Sequence, residues 1–95
     1  KFREEISAEK IAGLFARLAG LKDTIPGILG FSGGGNVSPE GFDRGYRHGF
    51  VVDFADAAAR DAYLAHPEHA VLGAELVSLL AGGIDGLLVV DIDGP

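Results

Sequence analysis

The sequence predicts an α+β fold of the split βαβ, ferredoxin-like kind, and three observations predict it. Apolar residues recur at helical spacing in two separate stretches. A period-two alternation from Tyr46 to Phe54 marks a strand. Gly and Pro then punctuate the chain into the order helix, strand, strand, helix, strand. At 95 residues the chain fits one domain, residues 1–95, with a single core.

Ser7 stands where a helix N-cap belongs, with Glu9 in the first turn, where the helix dipole favours a carboxylate. Ile11, Leu14, Phe15, Leu18 and Leu21 then share one helical face. Gly20 and the Ile25-Pro26-Gly27 turn end that helix. Ile28 to Ser32 is a short apolar run bounded by Pro and Gly, which reads as a strand, and Gly33 to Gly45 reads as a long loop. Tyr46, His48, Phe50, Val52 and Phe54 form one face of the next strand, and Arg47, Gly49, Val51 and Asp53 the other. Both faces carry apolar residues, so both are expected to be covered.

Asp56 caps a short helix from Ala57 to Leu64. Pro67 interrupts it and suits the first position of a further helix. Val71, Leu72, Leu76, Leu79 and Leu80 are that helix's expected buried stripe, and Gly82-Gly83 its stop. Leu87 to Ile92 reads as the last strand. The complete architecture is a four-stranded antiparallel sheet with helices on one face, its first strand between the third and fourth. That strand is missing from the pattern. Buried backbone groups left unpaired in such a gap cost about 1–3 kcal/mol each. The expectation is therefore that Lys1-Phe2 are the last residues of an opening strand cropped from this sequence.

Composition excludes several classes of function. Without Cys there are no disulfides, thiolate nucleophiles or Cys-type zinc sites, and a small cysteine-free domain suits the cytoplasm. The net charge is −6 and unevenly spread: residues 1–50 carry seven basic and six acidic side chains, residues 51–95 only Arg60 against eight carboxylates. With no cluster of Lys and Arg, neither nucleic acid nor an anionic membrane surface is an expected partner. No apolar run approaches the ~18 residues of a membrane span.

The richest constellation is Tyr63, His66 and His69 around Pro67. His69 falls in the first turn of the second long helix, whose positive end disfavours an imidazolium. A neutral imidazole beside a phenol suits the deprotonation of a carbon acid, making His69 and Tyr63 the candidate catalytic pair. The alternative is that Tyr63 packs under the sheet and His-Pro-x-His merely caps a helix. His48, His66 and Tyr46 are candidate ligand-binding residues, with a hydrogen-bonded core role for His48 as the bland alternative. The histidines straddle a helix start and lack an acidic ligand at motif spacing, which argues against zinc. Gly33-Gly34-Gly35-Asn36 joins two strands with no following helix, so it is not a phosphate cradle. Asp91, Asp93 and Gly94 do not complete a calcium loop.

Several pieces resemble one family: Lys1-Phe2 followed by Ser7, then Leu21 to Gly27, Asn36 to Gly41, Gly45 to Phe54, and Tyr63-Leu64-Ala65-His66-Pro67-Glu68-His69. Together they are similar to the stress-responsive A/B barrel (Dabb) domain, within the dimeric α+β barrel superfamily. The resemblance implies a homodimer whose two sheets face each other and close into a barrel, explaining a strand apolar on both faces. The two-sided strand and the lack of a complete catalytic set lead to the expectation of a protein, with no cofactor, that binds a small apolar or aromatic molecule in a cavity of each subunit. A second implication is a polyketide-cyclase-like or carbon-acid lyase chemistry on residues matching Tyr63 and His69, and a third is a structural, oligomer-forming stress protein. Some relatives hold a magnesium ion through main-chain carbonyls, which here would be those of Lys22, Ile25 and Ile28.

Overall fold

The computed structural model describes residues 1–94. Helix α1 (Ala8–Gly20) begins where Ser7 Oγ accepts a hydrogen bond from the Lys10 amide at 3.1 Å. Its apolar stripe buries Ile11, Leu14, Phe15 and Leu18. A 3₁₀ turn (Leu21–Asp23) follows, and the chain reverses at Gly27, whose φ of +92° is left-handed. A Cβ at Gly27 would stand 2.5 Å from that of Ala59, so only glycine fits this turn.

Strand β1 (Ile28–Gly35) pairs antiparallel with β2 (His48–Phe54), from Ile28 opposite Phe54 to Gly35 opposite His48. The register slips between Ile28 and Gly30, where Leu29 is an extra residue on the β1 side, a bulge. Along β2 burial alternates strictly, with His48, Phe50, Val52 and Phe54 turned towards the helices. Phe50 stacks on Phe31 at 5.4 Å and meets Phe15 edge-on at 5.5 Å.

Helix α2 (Ala57–Ala65) is capped by Asp56 Oδ1, which accepts from the Ala59 amide at 2.8 Å. Helix α3 (Pro67–Ser78) has Pro67 in its first turn. Leu72, Leu76 and Leu80 close the core with Tyr63, Leu21 and Ile25. Across the α1–α3 seam, Glu75 takes Lys10 at 3.3 Å and both Arg17 guanidinium nitrogens. Beyond α3, Gly82 and Gly83 adopt left-handed φ values ahead of a 3₁₀ turn (Gly83–Gly86).

Four details differ from the sequence reading. The paired sheet has two strands among the described residues, and Leu87 to Ile92 joins no ladder. A strand needs a neighbour for its backbone bonds. Here Lys1 and Phe2 are what lies between the start of β2 and the Leu80–Gly86 turn. Phe2 is bridged to Leu80, with Lys1 O accepting from the Ala81 amide and the Arg3 amide donating to Leu79 O; the Lys1 amino group donates to Gly86 O, and the Phe2 ring sits edge-on to His48. From Leu88 onwards the segment is exposed. Second, Val71 is 66 % exposed, because the buried stripe of α3 follows Leu72 and Leu76 four residues apart and passes beside it. Third, β1 continues through Gly33, Gly34 and Gly35, since the ladder with β2 outweighs the weak strand preference of glycine. Fourth, only one sheet face is covered in the single chain: Val51 remains 59 % exposed on the outer face.

Candidate functional site

The junction of α2 and α3 places three of the singled-out residues. Tyr63 lies in the last turns of α2, and its carbonyl accepts the His66 amide at 3.1 Å. His66 is extended, as expected before proline, and its Nδ1 accepts from the Glu68 amide at 3.1 Å. The imidazole thus caps α3 in the role usually filled by Asp, Asn, Ser or Thr. His69, one turn into α3, brings its ring to 4.2 Å from that of Tyr63, tilted by 46°. Tyr63 in turn leans on Phe54 at 5.0 Å, so the end of β2 backs the pair.

Electrostatics here follow from burial. Desolvation pushes the Tyr63 phenol above its ordinary value, so it remains a proton donor at neutral pH. Desolvation likewise pushes the His69 imidazolium down from 6.5, opposed by a smaller interaction with the Leu64 backbone. His69 Nδ1 is buried and has no hydrogen-bond partner. A neutral imidazole packed against a protonated phenol sets a base beside a hydrogen-bond donor, with Nε2 as the ring nitrogen left for a substrate because Nδ1 is buried.

His48 and Tyr46 do not join this pair. His48 opens β2 and Phe54 closes it, a span of roughly 20 Å at about 3.3 Å per residue. His48 instead borders a groove of about 630 Å³ between α1 and β1, whose walls include Ile11, Ala12, Phe15, Phe31 and Gly34. Tyr46 precedes β2, with Lys1 Nζ 4.7 Å above its ring and its carbonyl accepting from Asn36 Nδ2 at 3.0 Å. A smaller groove of about 370 Å³ runs between α1 and α3 past Arg17, Leu21, Pro67 and Val71. Neither groove is lined by Tyr63 or His69. Sequence reasoning missed the larger one. Its signal was present as Ala8, Ala12, Ala16 and Ala19 on one side of α1, opposite the glycines of β1.

Among the described residues no three His, Cys, Asp or Glu side chains gather to hold a metal. The main-chain carbonyls are a separate matter. In the turn after α1, Leu21 O accepts from both Thr24 and Ile25, and Gly27 O from Ala55, whereas Lys22 O and Ile25 O accept no backbone amide. Main-chain carbonyls are hard oxygen donors of the kind that suits magnesium.

The family model described as the stress responsive A/B barrel domain matches residues 1–93. The chain belongs to the stress-responsive A/B barrel (Dabb) family. It is 34 % identical over 90 residues to the stress-response A/B barrel domain-containing protein HS1 of Arabidopsis thaliana, covering 95 % of this chain and 79 % of that one. Among solved structures it is similar to a dimeric ferredoxin-like protein of unknown function from Jannaschia sp. CCS1. The TM-score is 0.89 at 38 % identity, over 98 % of this chain and 90 % of the other. The At3g17210 protein of Arabidopsis thaliana matches with a TM-score of 0.78 at 32 % identity, over 83 % and 77 % of the respective chains. The Dabb chain thus has an α+β ferredoxin-like fold, and one similar solved structure is described as a dimeric ferredoxin-like protein. No helix among its described residues is long and apolar enough to cross a membrane.

Proposed function

We propose that this Dabb protein works as a homodimer that takes up a small apolar or aromatic molecule in the α1–β1 groove of each subunit. The groove carries the reading: about 630 Å³ of space walled by Phe15, Phe31 and Ile11, with the His48 imidazole as a polar group at one end. Ligand sites are commonly such apolar clefts with few polar groups to orient the guest. The test is titration with an apolar fluorophore such as anilinonaphthalene sulfonate, comparing the parent protein with Ala12→Trp, which fills the groove from an exposed position on α1. Binding is expected to be lost in the variant; equal binding by both proteins overturns the reading.

The dimer is supported by the uncovered outer face, where Val51 is 59 % exposed among small neighbours such as Ser32 and Gly49, and by a relative described as dimeric. Sedimentation should give twice the chain mass, and Val51→Asp should halve it. A monomeric parent protein contradicts the arrangement.

A second reading has its own observation, the ring contact at 4.2 Å between Tyr63 and His69. Here the His69 imidazole, through Nε2 because Nδ1 is buried, takes a proton from carbon α to a carbonyl, and the Tyr63 hydroxyl donates to the resulting enolate oxygen. An intramolecular aldol closure needs no cofactor beyond these groups. His69→Ala and Tyr63→Phe should each slow such turnover by about 10²-fold or more. Unchanged rates with a poly-β-ketone substrate remove the reading.

A further inference from the structure

We infer that His66 is the positioning residue that holds His69 against Tyr63, and that it does so as a neutral imidazole protonated on Nε2. This rests on the second reading above for its functional meaning, but its structural content stands separately. Three bonds converge on His66. Its amide donates to the Tyr63 carbonyl at 3.1 Å, its carbonyl accepts from Ala70 at 3.0 Å, and its Nδ1 accepts from the Glu68 amide at 3.1 Å. The first ties it to the residue bearing the phenol. The other two fix the opening turn of α3, the turn that carries His69.

Helix α3 has no other side-chain cap: Pro67 offers no amide, and the His66 ring alone receives the Glu68 amide. Because Nδ1 must accept, the ring proton of the neutral form belongs on Nε2. A ring protonated on Nδ1 would set a donor against a donor and release the turn. The separation of 4.2 Å between the rings of Tyr63 and His69 is therefore maintained by the backbone geometry that this cap imposes. The role differs from ligand binding, since the nitrogen facing the helix is already engaged.

Two measurements test the inference on the intact protein without any substrate. Long-range ¹H–¹⁵N correlation spectra report each histidine tautomer, and His66 should show the Nε2–H pattern at neutral pH. The His69 ring protons should be displaced by the Tyr63 ring current, and Tyr63→Leu assigns that displacement. His66→Asn, which retains a side-chain acceptor, should keep it. His66→Leu, which does not, should lose it, while the His48 signals beside Phe2 stay in place as the control for folding. An Nδ1–H tautomer at His66 overturns the inference, as does an undiminished His69 displacement in a folded His66→Leu protein. Should the leucine variant not fold, the tautomer and the asparagine rescue still decide. A positive result with no turnover on any ketone substrate would sink the catalytic reading alone.

Discussion

Gly33 faces Phe50 across the ladder, and the space there is already taken. A Cβ built on Gly33 would stand 2.7 Å from Phe50 Cβ and 3.2 Å from both Phe15 Cδ2 and the Gly49 carbonyl. The nearest of these is fixed to the β2 backbone and cannot swing aside, so Gly33→Ala must either spread the two strands or displace the aromatic stack. Overpacking of this kind costs about 1–3 kcal/mol, while alanine lowers the entropy of the unfolded chain and returns roughly 0.4–1 kcal/mol. The net expectation is a loss of about 0.5–2 kcal/mol. At the usual 4–8 °C per kcal/mol for a domain of this size, the melting midpoint falls by roughly 2–16 °C. Gly34, one residue on, has nothing within 4 Å of its would-be Cβ and supplies the control: Gly34→Ala should be neutral or slightly stabilising. Urea unfolding followed by circular dichroism, at one fixed protein concentration because an oligomer's midpoint depends on it, measures both. A Gly33→Ala protein as stable as its parent would refute the packing argument.

Other predictions rest on separate features. Because burial disfavours the His69 imidazolium, the unfolded chain binds more protons than the folded one as pH falls below the ordinary value of 6.5, and stability falls with it. This contribution is intact above 6.5 and is lost as pH falls through the lowered folded value, so His69→Gln should flatten the melting midpoint between pH 7 and 5; parallel slopes for both proteins would argue against it. Gly13 lies exposed in mid-α1 with no atom within 4 Å of a would-be Cβ. Gly13→Ala should add about 1 kcal/mol by helix propensity, read as a higher urea midpoint. Magnesium chloride should raise the melting midpoint above that in sodium chloride of equal ionic strength if the Lys22 and Ile25 carbonyls hold the ion, and no difference would dismiss that site.

Much of the fold could be read from short-range chemistry. Ser7 and Asp56 cap the helices they precede, Pro67 opens α3, and the alternation along β2 identifies its helix-facing side. Each of these is a property of residues close in sequence. What was not legible depends on partners far along the chain. Whether Leu87 to Ile92 forms a ladder is decided by the neighbouring backbone, not by its own β-branched residues. The glycines of β1 are strand because β2 lies beside them. Val71 is apolar at a helical spacing, yet the stripe of α3 turns just past it.

The site was legible to a different depth. The Tyr63, His66 and His69 spacing around Pro67 marks a local cluster, and local spacing suffices to place it. The separation of His48 from that cluster was not visible, because both belong to the helix-facing side and only the strand's length sets them apart. Nor could the sequence distinguish His66 as a cap from His66 as a ligand, since either role uses the same ring.

The segment after Gly86 has a bearing on how the protein behaves in the test tube. Leu87-Leu88-Val89-Val90 is a run of strong β-formers, without proline or charge, and its last three side chains are 65–75 % exposed. Such stretches template fibrillar stacking when they are left open. Asp85 stands just ahead of it, and Asp91 and Asp93 follow, with Arg60 reaching Asp91 at 3.5 Å. These carboxylates act as gatekeepers, setting like charge against like wherever two such runs align in parallel.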